Sequence, residues 1–105
     1  MLLKFCRKLT ERMPEVVETV TVGSPLGLHS RSAAEIVRMA SAFRAELSLA
    51  REDGSGSRAD CRSILALLMM AAACGTRLVL RGVGEDAEAA VKAVAAYFAT
   101  NFNEE

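Results

Sequence analysis

The chain has 105 residues, enough for one folded domain and too few for two independent cores. Its 13 basic and 13 acidic residues cancel, which argues against nucleic-acid binding through a general basic field, and the 51% of apolar residues excludes a disordered chain. The longest apolar run, Ile64 to Cys74, falls well short of the roughly 20 residues that a bilayer span requires. We therefore expect no membrane span.

The cysteines and the histidine exclude two further classes of protein. Cys6, Cys61 and Cys74 form no C-x-x-C pair and are odd in number, which argues against a secreted disulfide framework and favours a reducing cytoplasm. Cys61 and Cys74 are predicted to be small core residues. The single histidine provides no metal-ligand cluster, so we expect neither a metal nor a cofactor.

Residues 1–14 are predicted to be an N-terminal extension, frayed or forming a short helix. Leu2, Phe5, Leu9 and Met13 have helical spacing among basic residues, which would suit a basic amphipathic segment that touches a membrane or a partner. Alternatively, translation starts at Met13. We expect the folded domain to cover residues 15–105.

That domain begins with a strand, a loop and a helix. Val20 and Val22 alternate with threonines, which predicts a half-buried strand. A loop punctuated by Pro and Gly follows, and apolar positions three and four apart predict an amphipathic helix from Ser32 to Arg44. The clean alternation at Leu47 and Leu49 then predicts a second strand.

The second half repeats this alternation of strands and helices. A third strand is predicted at Ala59 and Cys61, then a helix from Ser63 to Ala73 that is closed by Gly75. A strand is predicted from Thr76 to Arg81. Acidic Glu85 and Asp86 suit the first turn of a last helix, whose apolar stripe is Ala87, Ala90, Val91, Val94 and Phe98.

The order strand, helix, strand, strand, helix, strand, helix predicts a two-layer α/β (α+β) fold with the helices on a single face of one sheet. Element order alone leaves ferredoxin-like ligand-binding modules as an alternative.

The only histidine, His29, lies where a Gly-containing loop meets the start of the first helix, in the sequence Gly27-Leu28-His29-Ser30-Arg31. A helix start exposes unpaired N–H groups and attracts anions. A neutral imidazole nitrogen can attack phosphorus, and Arg31 offers a permanent positive charge to phosphoryl oxygens. On these residues alone, a phosphoryl acceptor and an ordinary polar loop residue remain equally open.

Gly27-Leu28-His29-x-Arg31 at a helix start resembles the active-site loop of HPr, the phosphocarrier of the bacterial phosphoenolpyruvate-dependent phosphotransferase system. Arg62-Ser63-Ile64-Leu65 stands where HPr proteins carry a regulatory serine, and Gly75-Thr76 and Gly84-Glu85-Asp86 continue the likeness. The resemblance covers about residues 15–98. It implies an open-faced sandwich with a four-stranded, mainly antiparallel sheet and three helices on one face.

The resemblance also implies a function. His29 would accept a phosphoryl group from Enzyme I, supported by the backbone N–H groups of Ser30 and Arg31 and by the Arg31 charge, and would pass it to an EIIA-type domain. The protein would be a cytoplasmic, monomeric carrier rather than a free-standing catalyst. It would serve either sugar transport or the nitrogen-related branch.

Ser63 and the helix after it have two interpretations each. Serine is a good helix N-cap, and the resemblance implies modification of Ser63 by HPr kinase/phosphorylase. The helix is apolar all round, which indicates either a core helix with some over-exposed residues or an exposed docking patch. The resemblance assigns partner docking to Leu28, Ile64, Leu65 and Leu68, whereas Met69 and Met70 could equally be packing residues.

Position 32 departs from the family, since HPr proteins usually carry proline where this chain has Ser32. We expect Ser30 to cap the first helix, with a rival capping box formed by Ser32 and Glu35. A cap at Ser32 would move the helix N–H groups away from His29. Two other functions stay open: a regulatory module controlled through Ser63, and a ferredoxin-like domain that binds a small ligand.

Overall fold

The structure is a computed structural model that describes residues 13–104, so the predicted extension at 1–14 lies almost wholly outside the described residues. A short 3₁₀ turn, which we call the tail turn, follows the last helix. The elements are β1 (Glu15–Thr21), α1 (Ser30–Ala40), β2 (Glu46–Arg51), β3 (Ala59–Asp60), α2 (Ile64–Met69), β4 (Arg77–Val83), α3 (Ala87–Ala99) and the tail turn (Asn101–Asn103).

The four strands form one antiparallel sheet in the order β1-β4-β2-β3. β4 is central, and its Leu80 lies opposite Glu18 of β1 and Leu49 of β2. The predicted open-faced sandwich with the order βαββαβα is confirmed.

Alternation along the strands builds one core between the sheet and the helices. Leu78 and Leu80 are fully buried, whereas Val79 between them is only half-buried on the opposite face. A Cβ on Gly82 would lie 2.7 Å from Cγ2 of Val91, so the glycine lets α3 approach the sheet closely. The predicted α3 stripe is entirely buried. No helix within residues 13–104 is both long and apolar enough to cross a bilayer.

Several predicted helix boundaries are wrong. α1 starts at Ser30 and ends at Ala40, and α2 ends at Met69 rather than at Ala73. Gly75 does have a left-handed φ of +93°, but it lies in the turn before β4, where its N–H donates to the carbonyl of Val22 at 2.7 Å. It closes a turn between the sheet and the preceding loop, not a helix.

The two cysteines in the described part of the chain differ. Cys61 is fully buried, and burial raises the pKa of its thiol to about 12, so it is an inert core residue as predicted. Cys74 is exposed, and its assignment to the core was wrong, because α2 ends before it and leaves it in a loop.

Candidate functional site

The loop that carries His29 is fixed against the segment that follows α2. The N–H of Leu28 donates to the carbonyl of Ala72 at 2.8 Å. Gly27 has a φ of +71°, and a Cβ there would lie 2.7 Å from that same carbonyl oxygen. The backbone therefore needs glycine both for its conformation and for the close approach. This contact sets the position of the next residues, including His29.

His29 itself is the N-cap of α1, with an extended backbone. The buried hydroxyl of Ser32 accepts from the N–H of His29 and donates to its carbonyl, both at 3.0 Å. The predicted cap at Ser30 is therefore wrong. The rival box is also wrong, because the Glu35 carboxylate accepts from Nε of Arg38 at 3.1 Å instead.

This cap keeps the start of the helix beside the imidazole. The first N–H groups of an α-helix have no intrahelical partner, and those of Ser30 and Arg31 directly follow His29. The reciprocal hydrogen bonds of Ser32 fix the backbone at the position where the resemblance leads one to expect a proline ring. The side chain differs from the family pattern, but the anion-binding helix start stays at His29.

A carboxylate completes the surroundings of the imidazole. Nε2 of His29 lies 2.5 Å from Oε2 of Glu104, and the buried hydroxyl of Ser24 donates to Oε1 of the same carboxylate. The hydrogen bonds from Ser24 and His29 hold the pKa of Glu104 below its ordinary value. The sequence did not indicate Glu104, because 75 positions separate it from His29 and no local motif predicts a contact between the two.

The imidazole of His29, the first N–H groups of α1, the side chain of Arg31 and the carboxylate of Glu104 border one open depression. It is lined by Pro25, Leu26, His29, Ser30, Arg31 and Glu104. The His29 side chain is 23% exposed and Arg31 is exposed, so a macromolecular partner can reach both. The structure thus brings together the imidazole, the helix N–H groups and the guanidinium that the sequence indicated.

The predicted docking residues separate into two groups. Ile64 and Leu65 are exposed, at 42% and 68%, and Leu68 is half-buried. Leu28 is only 6% exposed, so its assignment to a docking surface is wrong, because its side chain packs into the core. Leu26 and Met69 provide exposed apolar surface instead, at 73% and 75%.

Ser63 is the N-cap of α2, as predicted. Its hydroxyl accepts from the N–H of Ala66 at 3.0 Å, and the residue is half-buried. It directly precedes the exposed Ile64 and Leu65. A charge on this hydroxyl would therefore lie next to these two exposed apolar residues.

Comparisons with known proteins agree with this geometry. The sequence model of the family described as "PTS HPr component phosphorylation site" matches residues 16–100. The chain is 36% identical to the phosphocarrier protein NPr of Shewanella violacea, over 88% of this chain and 98% of that protein. It is 40% identical to the phosphocarrier protein HPr of Treponema pallidum, over 86% of this chain and 99% of that protein.

Solved structures give the same result. The crystal structure of HPr from Bacillus anthracis is 31% identical, with a TM-score of 0.72 over 80% of this chain and 96% of that one. HPr from Thermoanaerobacter tengcongensis is 29% identical, with a TM-score of 0.76 over 89% of this chain and 99% of that one. The chain therefore belongs to the HPr family of phosphocarrier proteins of the phosphotransferase system.

Proposed function

We propose that the protein is a cytoplasmic phosphocarrier that accepts a phosphoryl group on His29 from Enzyme I and passes it to an EIIA-type domain. The observation that carries the proposal is the position of His29. It is a partly exposed imidazole at the N-cap of α1, beside the unpaired N–H groups of Ser30 and Arg31.

The chemistry needs little more than these groups. A lone pair on an imidazole nitrogen forms a bond to phosphorus while the bond between phosphorus and the donor breaks, and its electron pair returns to the donor. The helix N–H groups and the Arg31 guanidinium supply positive charge to the phosphoryl oxygens. An open depression leaves the phosphoryl group within reach of the next protein, as a carrier requires.

The partner surface is proposed to be the apolar patch formed by Leu26, Ile64, Leu65, Leu68 and Met69. Contiguous exposed apolar patches mark interfaces, and Ile64, Leu65 and Met69 are exposed on the same short helix. The segment after α2 is hydrogen-bonded to the His29 loop, so the helix and the loop form one continuous unit. A partner on this patch would lie next to the depression.

Intact mass after incubation with Enzyme I and phosphoenolpyruvate tests the function. We expect one acid-labile phosphoryl group on the wild type and none on His29→Ala. Chasing the phosphorylated protein with an EIIA domain of the sugar branch, and separately of the nitrogen branch, identifies the acceptor. A folded wild type that takes no phosphoryl group from either branch's Enzyme I would contradict the proposal.

Regulation through Ser63 is a second proposed role, favoured by its place beside Ile64 and Leu65. A phosphate there would add about two negative charges to the edge of the docking patch and weaken the binding of Enzyme I. We expect HPr kinase with ATP to label the wild type but not Ser63→Ala. Equal labelling of the two would exclude this role. The family match favours both roles over the ferredoxin-like alternative.

A further inference from the structure

We propose that Glu104 is a positioning residue for His29. Its carboxylate holds Nε2 of the imidazole as the N–H donor, so that Nδ1 carries the lone pair that attacks phosphorus. This inference rests on the proposed phosphoryl transfer and adds to it a residue outside the His29 loop.

Each oxygen of the Glu104 carboxylate accepts one hydrogen bond from a different side chain. Oε2 lies 2.5 Å from Nε2 of His29, and an ionised carboxylate can only accept, so the proton of this bond belongs to the ring. Oε1 accepts from the hydroxyl of Ser24, which is fully buried and also accepts from the N–H of Leu26 at 3.2 Å. Ser24 thus links the carboxylate to the same loop that carries His29.

The tail turn holds Glu104 in place at a conformational cost. Asn101, Phe102 and Asn103 have φ values of 54°, 59° and 58°, which non-glycine residues rarely adopt in succession. Asparagine tolerates this conformation, but phenylalanine does so only when packing compensates. The backbone of this turn therefore needs an anchor.

Phe102 supplies that anchor. Its side chain is 4% exposed, and its ring centroid lies 5.1 Å from that of Tyr97 and 5.0 Å from that of Phe98. The same ring lies edge-on to His29, with centroids 6.4 Å apart. Burial of one aromatic side chain therefore places the carboxylate two residues later on the imidazole.

The arrangement suits the charge changes of the transfer. When Nδ1 forms its bond to phosphorus, the Nε2 proton stays on the ring and the ring gains positive charge. A carboxylate at Nε2 stabilises that charge and keeps the ring oriented, as in other imidazoles held by an acidic partner. When the phosphoryl group leaves for the acceptor, the electron pair returns to Nδ1 and the tautomer is restored.

The first test is ¹⁵N NMR of the imidazole in the full chain, at a pH high enough for the ring to be neutral. We expect a pyrrole-type Nε2 and a pyridine-type Nδ1 in the wild type. Glu104→Ala should shift the tautomer ratio. Glu104→Gln keeps a carbonyl oxygen as acceptor and should retain more of the preference for a proton on Nε2. Glu18→Gln, an equal charge change on the exposed β1, is the matched control.

The second test is the rate of phosphoryl transfer from Enzyme I, measured on the same variants. We expect Glu104→Ala and Glu104→Gln to lower kcat/KM on the order of tenfold, the size typical of a charge-assisted hydrogen bond to a partly exposed group. Ser24→Ala should lower it less, and Glu18→Gln should leave it unchanged.

Two outcomes overturn the proposal: a Glu104→Ala variant with the wild-type tautomer ratio, or a shifted ratio with an unchanged transfer rate. The NMR and transfer-rate experiments also distinguish failure of the Glu104 proposal from failure of the proposed phosphocarrier function. If the wild type accepts no phosphoryl group, the proposed function fails, and the NMR comparison still decides whether Glu104 sets the tautomer.

Discussion

His29 depends on two neighbours that contribute no charge. Gly27 permits the backbone contact with Ala72, and Ser32 holds both backbone polar groups of His29. Both contacts involve the backbone of the loop and not the imidazole ring. Both act by fixing the cap from which the imidazole projects, so changes at these positions affect function through geometry.

Gly27→Ala should therefore impair folding and transfer together. An alanine Cβ would meet the carbonyl oxygen of Ala72 at 2.7 Å in a left-handed conformation that alanine disfavours, so the loop must move. We expect a free energy of unfolding lower by about 1–3 kcal/mol and slower phosphorylation of His29. Urea unfolding and intact mass measure the two effects.

The control is Gly54→Ala, which also has a positive φ but meets no atom within 4 Å of a Cβ. It should lose stability from conformation alone and retain the transfer rate. Equal transfer by Gly27→Ala and Gly54→Ala would show that the contact with Ala72 does not position His29.

At the scale of elements, polar side chains at the N-cap positions of helices hold nearby backbone N–H groups. α2 is a single short helix whose hydroxyl cap comes from Ser63. Asp86, predicted for the first turn of α3, instead occupies its N-cap position, and its carboxylate accepts from the N–H groups of Arg44 and Ala45 at 2.9 and 2.8 Å. It therefore joins the start of α3 to the start of β2.

Ser63→Ala should destabilise the protein by about 1 kcal/mol, since it removes the acceptor for the N–H of Ala66. Thermal or urea unfolding measures this loss. Ser57→Ala, in the exposed loop before β3, is the control and should be close to neutral. A Ser63→Ala variant as stable as Ser57→Ala would contradict the capping role, whatever the result of the kinase experiment.

Asp86 should make stability depend on pH. The hydrogen bonds from the N–H groups of Arg44 and Ala45 lower its pKa below the ordinary 3.8. A lowered pKa in the folded state adds stability that is complete above the ordinary value and disappears as the pH falls through the folded one. The wild type should therefore exceed Asp86→Asn in stability at neutral pH, and the difference should shrink below about pH 4.

Urea unfolding of both proteins across this pH range checks the expectation. Glu85→Gln removes the neighbouring exposed carboxylate and serves as the charge-matched control. The same pH dependence in Asp86→Asn and Glu85→Gln would show that the two backbone hydrogen bonds contribute nothing.

At the scale of the whole molecule, the core beneath the sheet and the depression around His29 lie in different places. The core fills the space between the sheet and the three helices, with Leu49, Leu78 and Leu80 fully buried. The site lies at the start of α1, in an open depression. Loss of core volume should therefore reduce the folded population without changing the chemistry of the molecules that remain folded.

Leu80→Ala should lower the free energy of unfolding by about 2–5 kcal/mol, because it leaves a cavity in the core between the sheet and the helices. Val79→Ala, the adjacent position on the other face, should cost much less, since Val79 is only half-buried. Urea unfolding compares the two. At a temperature where both are folded, both should accept a phosphoryl group at the wild-type rate, and a slower rate in Leu80→Ala would link the core to the site.

The sequence by itself determined what rests on local pattern. Alternation at Leu47 and Leu49 and at Leu78 and Leu80, the stripe of α3, the cap at Ser63 and the loop around His29 depend on neighbours within a few positions, and so they were predictable. The ends of the helices were less predictable from the sequence. Apolar residues continue beyond α2 up to Cys74, and only packing decides which of them stay helical.

Tertiary structure alone decided the rest. The contact of Glu104 with His29, the burial of Leu28, the exposure of Cys74 and the bridge from Asp86 to Arg44 and Ala45 join segments far apart in the chain. The strength of each of these contacts depends on the distance between its two segments. That distance is set when α3 and the tail turn pack against the sheet, and no periodicity in the sequence predicts it. The loop around His29 is thus a local feature, and the carboxylate of Glu104 that contacts its imidazole is a product of the fold.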